Sequence, residues 1–381
     1  MRVLFVTTSF PSDKDDPRGN HIRVLASQLA AEGNQVTVIA PARRGHPLRG
    51  QLDGVTVKRF SYWPGGGNLT RNVAGIVPAL RERPLRLAQL PPLVGSMLHA
   101  TNREAGATDM IHAHWLYPAG VVAVRAARKS GKPVVITAHG GDAELATRHR
   151  ALRRAAVWAI HNSEKTMAVS EAIAASLVAM GGREDKIIVS PLGVPIPTGA
   201  ADRSHRPPQL LFVGSLIERK GIDILLDAAD GIEEGLLELV VVGDGPLQDL
   251  VERRAKTNAT IRPLGAMSPS RVAQLMHTAS ALVLPSRSEG RPFVIMEAMA
   301  AGLPVLATDI SGSRELVRDG ATGLLCEVDA DSLRQAMVRL AGDSELRDRL
   351  GNAGREMLIV EKLTAAHAAD RVSAVYESAC V

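Results

Sequence analysis

Aromatic side chains are scarce in this chain, at 3% of 381 residues. Its cores must therefore be built from Leu, Val, Ile and Ala. Cysteine is scarcer still: Cys326 and Cys380 are too few for a metal cluster, and a disulfide reaching to the last residues is not expected, which suits a reducing compartment. No run of about 18 apolar residues occurs, so no membrane-spanning helix is expected. The chain opens directly on the strand-like VLFVTT rather than on a secretory leader, which makes a cytoplasmic location the expectation. A G-x-G-x-x-G turn is missing as well. GDGP at 243–246 has two glycines and no third, which argues against a dinucleotide-dependent dehydrogenase. Nothing in the chain points to nucleic acid.

What is present is a folded, 45% apolar chain long enough for two domains. Short apolar or β-branched runs at 3–7, 35–40, 110–113, 134–138, 166–169 and 187–189 alternate with stretches of helical periodicity. The pattern repeats at 210–213, 239–242, 281–284 and 305–307. Such alternation predicts an α/β protein with two Rossmann-like, doubly wound parallel sheets. The Pro-rich stretch at 191–208 marks the boundary, giving domains 1–196 and 197–363.

Charge divides the same way. Residues 1–205 carry 26 Lys and Arg against 15 Asp and Glu, while 206–381 carry 19 against 25. A basic first half suits an anionic ligand or surface. Between residues 68 and 103, Arg71, Arg81, Arg83, Arg86 and Arg103 are interleaved with leucines, the composition of a helix that lies on an anionic membrane, although Pro78, Pro84, Pro91 and Pro92 interrupt it.

The chemistry concentrates in SRSEGRPFVIMEAMAAGLPV. Pro292 suits the first turn of a helix that runs on through Ala301 and stops at Gly302 and Pro304. Glu289 then lies in the loop ahead of the helix and Glu297 inside it, among apolar neighbours where a carboxylate needs a partner. A helix N-terminus that follows a parallel strand is a phosphate site, and the flanking carboxylates can accept hydrogen bonds from sugar hydroxyls. The implied ligand is a sugar joined to a diphosphate. Lys220, in the turn GSLIERKG, can reach such a diphosphate as a mobile point charge. Gly243 and Gly265 follow strands on the side where such sheets bind ligands. In TAHGGD, His139 stands just past a buried strand, and two glycines leave the backbone open beside it. His112 and His114 alternate along their strand, but no acidic or Cys residue completes a zinc set with them.

E-G-x-P-F-x-x-x-E-A-M-A-x-G-x-P-V resembles the E-x7-E signature of the retaining nucleotide-sugar glycosyltransferases of family 4. MRVLFVTTSFP, IHAHWLYPAG, VVITAHGGD, LLFVGSLIERKGIDILLDAA, VVVGDGP and SRELVRDGATGLLCEVDADSLRQAM extend the resemblance over nearly the whole chain. It implies the GT-B arrangement, two domains facing a central cleft, with the last helix at 364–381 returning to the first domain. It implies a metal-independent enzyme without a cofactor, acting on a nucleoside-diphosphate sugar. Glu297 would take the ribose, Glu289 the transferred sugar, and Gly290, Arg291, Pro292 and Phe293 the sugar and phosphates. Lys220 matches the family's diphosphate-binding Lys. Ser215 stands where the family has Arg, with Arg219 a conjectured substitute. Gly19 stands where the family usually has two adjacent glycines near the phosphates. His139 would face the transferred sugar, and His114 and Trp115 the acceptor. The acceptor itself, whether glycan, lipid-linked or a small molecule, is not specified. Other readings of the residues are a GT-B phosphorylase or sugar-nucleotide epimerase, a non-catalytic sugar-nucleotide-binding protein and, from the carboxylate pair alone, a glycosidase.

Overall fold

A computed structural model describes residues 1–64, 67, 69, 70, 76, 80, 83–199 and 201–380. Arg71 and Arg81 lie outside the described residues, as does Pro78. The chain forms two compact units, Met1–Gly193 with Ala365–Val381, and Val194–Thr364.

The first unit holds an eight-stranded sheet. Its strands are β1 (Arg2–Val6), β2 (Gln35–Pro41), β3 (Arg49–Leu52), β4 (Val55–Phe60), β5 (Met110–His114), β6 (Val134–Ala138), β7 (Lys165–Ala168) and β8 (Ile187–Val189). They lie in the order β3-β4-β2-β1-β5-β6-β7-β8. All pairs are parallel except β3 with β4, a hairpin turned by Asp53 and Gly54 at φ 48 and 80. Leu4 and Val6 enter one buried apolar cluster while Val3 and Phe5 enter another, so both faces of the sheet are covered. Helix Ala365–Ala379 closes one face, packing on helix Asn20–Ala31. The Tyr376 hydroxyl lies 2.6 Å from His112 Nδ1.

The second unit holds six parallel strands: β9 (Gln209–Val213), β10 (Glu238–Val242), β11 (Ile261–Gly265), β12 (Ala281–Leu284), β13 (Val305–Thr308) and β14 (Leu324–Cys326). Their order, β11-β10-β9-β12-β13-β14, is the doubly wound Rossmann order. Leu210 and Phe212 pack on one face, Leu211 on the other. The apolar runs of the sequence are continuous for this reason. A strand buried on both sides has no polar positions to alternate with.

The same topology fixes where ligands can bind. Successive strands are added outward from β9 in one direction, then from β12 in the other. The connections leaving β9 and β12 therefore diverge and leave a crevice at the strands' carboxyl ends. In the first unit the corresponding divergence lies between β1 and β5. Among the described residues no helix is long and apolar enough to cross a membrane.

Candidate active site

Lys220 and Glu289 meet at the crevice of the second unit. Lys220 ends a short 3-10 turn, Glu218–Lys220, after β9, and Glu289 sits in the loop after β12. Lys220 Nζ donates to Glu289 Oε1 at 2.5 Å, and Ser286 Oγ donates to the same oxygen at 2.8 Å. Arg219 Nη1 donates to the Ser288 carbonyl at 2.8 Å and reaches Glu289 Oε2 at 3.4 Å. The Glu289 side chain is only 7% exposed, against 48% for Arg219. Lys220 is thus the inner cation and Arg219 the outer one. Arg287 braces the same loop by a two-pronged contact to Asp223 at 2.7 and 2.6 Å.

Backbone contact between the two loops sets this geometry. Gly221 has φ +67, and a Cβ there would stand 1.8 Å from the Pro285 carbonyl oxygen. The lysine comes paired with a glycine because no side chain fits where the β9 and β12 loops touch. The neighbouring strand ends are as close. Gly243 has φ +148, and its Cβ would lie 1.8 Å from the Gly214 oxygen, next to Ser215. Gly243 N also donates to the Gly265 carbonyl at 2.9 Å. Ser215, Gly243 and Gly265 thus line one continuous backbone rim at the carboxyl ends of β9, β10 and β11.

The loop runs from Glu289 through exposed Gly290 into helix Phe293–Ala300. Pro292 is its N-cap, without a side-chain cap, and the positive end of the helix dipole there favours an anion. Arg291 donates from Nη1 to Glu315 at 3.0 Å, while its buried Nε has no partner among the described residues. Burial pulls its pKa down. Glu297 has no side-chain hydrogen bond or ion pair among the described residues. It keeps some surface open to solvent, yet the protein around it strips water away and pushes its carboxyl up to about 7. The partner that a carboxylate among apolar residues requires is not supplied by the protein.

The first unit gathers a second set of residues. Gly19 is the N-cap of helix Asn20–Ala31 and places His21 4.8 Å from His139, ring to ring. Trp115 stands 5.1 Å from the His139 ring, in a left-handed backbone conformation at φ +74 that a bulky residue rarely adopts. His114 Nδ1 lies 3.1 Å from His139 Nε2. That contact ties the two tautomers together: if His114 donates, His139 Nδ1 carries a proton and is a donor, and otherwise it is an acceptor. Among the described residues, His139 Nδ1 has no partner. Burial, reinforced by neighbouring histidines, holds the pKa values of His114 and His139 well below the usual value, so both are neutral near pH 7. His114 has no exposed surface, because β5 is covered on both faces; of the residues expected to meet an acceptor, only Trp115 is partly open. His112 is turned inward to Thr137 and Tyr376. Among the described residues no three His, Cys, Asp or Glu side chains converge as a metal site.

The residue that orients this group is Asp142, which the sequence shows in HGGD without revealing its role. Its Oδ1 accepts from the backbone N–H groups of His139, Gly140 and Ala143 at 3.2, 3.0 and 3.1 Å. Its Oδ2 accepts from Leu116 N at 2.8 Å, which joins the loops after β5 and β6. An amide cannot serve all four donors, because its NH2 would face an N–H. Asp142→Asn is therefore expected to cost about 2–3 kcal/mol of stability, seen as an earlier urea midpoint, and to displace His139. An unchanged midpoint would refute this anchoring role.

Comparison with known proteins places the chain. Residues 19–196 match the family model described as Glycosyltransferase Family 4, and residues 200–357 match that of glycosyl transferases group 1. The chain belongs to the glycosyltransferases of family 4, and it is an enzyme of GT-B type. It is 34% identical to an uncharacterised glycosyltransferase of Methanocaldococcus jannaschii over 256 residues, 66% of this chain and 71% of that protein. It is 29% identical to the phosphatidyl-myo-inositol mannosyltransferase of Mycobacterium leprae, over 97% of this chain and 95% of that one. Among solved structures, Anabaena HepE in complex with UDP-glucose superposes with a TM-score of 0.75 at 18% identity, covering 99% of this chain and 100% of that one.

Proposed function

We propose that the chain is a retaining glycosyltransferase that moves a hexose from a UDP- or GDP-linked donor to an acceptor hydroxyl without a metal ion. The observation that carries this reading is the Lys220–Glu289 pair at the sheet's crevice, ahead of an uncapped helix and eight residues from an unpartnered Glu297. A nucleoside-diphosphate sugar complements each part. Ribose hydroxyls give Glu297 its missing partner. The diphosphate takes Lys220 and the positive end of helix Phe293–Ala300, which stabilise the charge that grows as the sugar leaves. Glu289, held by Lys220 and Ser286, accepts from sugar hydroxyls, and neutral His139 hydrogen-bonds the transferred sugar. No side chain is assigned as a covalent nucleophile. In the proposed step the bond from the anomeric carbon to the phosphate oxygen breaks. The acceptor oxygen bonds to that carbon on the same face, and its proton passes to the departing phosphate. A UDP-linked donor is supported by the UDP-glucose complex of HepE.

Incubation with a panel of nucleotide sugars tests this. Acceptor-dependent release of UDP or GDP, unaffected by EDTA, is the expected result. Interconversion of the free nucleotide sugar, or sugar phosphate formed from inorganic phosphate and a glycan, would replace this reading with an epimerase or a phosphorylase. Loss of activity with EDTA would overturn its metal independence.

The first unit also supports a peripheral membrane contact. Leu85 is 92% exposed and Leu87 59%, on a 3-10 turn, Pro84–Gln89, next to exposed Arg83. Exposed leucines beside arginine suit the boundary between headgroups and acyl chains. The protein is expected to sediment with vesicles containing anionic lipid and to be released by salt. Leu85→Ser with Leu87→Ser should abolish sedimentation. Sedimentation that survives this change would place the contact elsewhere.

A further inference from the structure

Three arginines of the first unit surround one buried carboxylate. Asp16, in the loop after β1, is already saturated: Arg18 Nε donates to its Oδ1 at 2.7 Å and Arg18 Nη2 to its Oδ2 at 3.0 Å, while Ser12 N and Arg18 N donate as well. Arg43, just after β2, comes no closer to Asp16 than 4.0 Å, and its side chain is only 8% exposed. Among the described residues, Arg43 donates to the Thr70 carbonyl at 2.8 Å. Among the described residues, Arg59, near the end of β4, donates to carbonyls, those of Phe10, Pro11 and Pro41 at 3.4, 2.5 and 3.3 Å. Asp13 also acts on Arg59, but it is 55% exposed and lies 3.9 Å from His46. Burial and the charge of Arg18 lower the Arg43 pKa to about 10, so it still keeps its proton near neutrality. A guanidinium that stays charged and is withdrawn from water calls for an anion. Neutral carbonyls satisfy its N–H groups but not its charge.

The cluster stands at the carboxyl ends of β1, β2 and β4, the edge on which His139 also lies. Arg18 is three residues from His21, which packs on His139. Adjacent strands lie about 4.8 Å apart, so β1, β2 and β4 are roughly 10, 14 and 19 Å from β6. An acceptor about the size of a phosphorylated disaccharide covers the span from the cluster to His139.

We propose that Arg18, Arg43 and Arg59 bind a phosphate group of the acceptor, leaving the acceptor hydroxyl toward His139. The acceptor role rests on the glycosyltransferase reading; the anion site does not. Glycerol 3-phosphate titrated calorimetrically into the full chain saturated with UDP should bind. Arg18→Gln and Arg43→Gln should each weaken that binding about ten- to hundredfold, by loss of charge-assisted hydrogen bonds, and leave UDP affinity unchanged. Vesicles of phosphatidylglycerol form a second arm. Capture of vesicles alone, lost in both variants, assigns the phosphate to a lipid headgroup; binding of the soluble ester assigns it to a soluble acceptor. In wild-type protein, the bound phosphate should also protect Arg18, more exposed than Arg43, from phenylglyoxal, mapped by mass spectrometry, which needs no variant to fold. Binding of neither probe, glycerol 3-phosphate binding that both variants keep, or absent protection would overturn the proposal. Failure of UDP to bind would instead strike the donor reading and leave the anion site standing.

Discussion

Lys220→Ala is expected to lower turnover on the order of 100- to 1000-fold, the scale of losing one preorganised group that stabilises transition-state charge. Donor binding should weaken less, because the diphosphate gains a further negative charge as the sugar bond breaks. The structure adds a second effect. Lys220 is the close partner of a carboxylate only 7% exposed. Removing it leaves Glu289 with Ser286 and a distant, exposed Arg219, at a cost of about 3 kcal/mol. Two variants separate the effects. Lys220→Ala combined with Glu289→Gln removes the orphaned charge and should recover most of the melting temperature, while turnover stays low. Recovery of turnover along with stability would show that Lys220 only supports the fold.

Glu297→Gln should move affinity and stability in opposite directions. Replacing a carboxylate that accepts from the ribose costs about 1.5–3 kcal/mol, so UDP and the nucleotide sugar should both bind roughly ten- to 150-fold more weakly. Without ligand, the same carboxylate is a burden. Its pKa is about 7 in the folded protein against an ordinary 4.5. Between those values the folded state holds a proton that the unfolded state has released. The contribution of this group is therefore full below about pH 4.5 and is lost as pH rises to 7. Gln has no such loss, so the variant should gain on the wild type across that window and stay about 1–3 kcal/mol ahead above it. Denaturation at pH 5 and pH 8, with UDP titration at pH 8, reads both. A folded variant with wild-type UDP affinity would remove Glu297 from the ribose site.

The parts of this molecule that were legible in its sequence are those with local physical causes. Strands buried on both faces must be apolar throughout, and runs such as Leu210–Val213 and Ala281–Leu284 show it. The loop position of Glu289 and the helical position of Glu297 follow from Pro292, Gly302 and Pro304. The β3–β4 hairpin was absent from the sequence reading, although Asp53–Gly54 is a turn pair that favours hairpins. RGQL, the β3 strand, carries little apolar signal. The pairing of Lys220 with Glu289 crosses 69 positions and depends on strand order, which no window of residues contains. Asp142 and the Arg18–Arg43–Arg59 cluster were hidden for the same reason. Their partners are backbone groups of other loops, and a sequence does not display which carbonyls and N–H groups a side chain will meet.

Helix Ala365–Ala379 belongs to the first unit, while residues 194–364 form the second without interruption. The second unit is thus a guest spliced into a host. A ribosome finishes the guest before it delivers the host's last helix, and with it the Tyr376 hydroxyl that holds His112. The half bearing Lys220 and Glu289 can mature as a contiguous piece of nascent chain, whereas the half bearing His139 must wait, its sheet partly uncovered, until helix Ala365–Ala379 has been made.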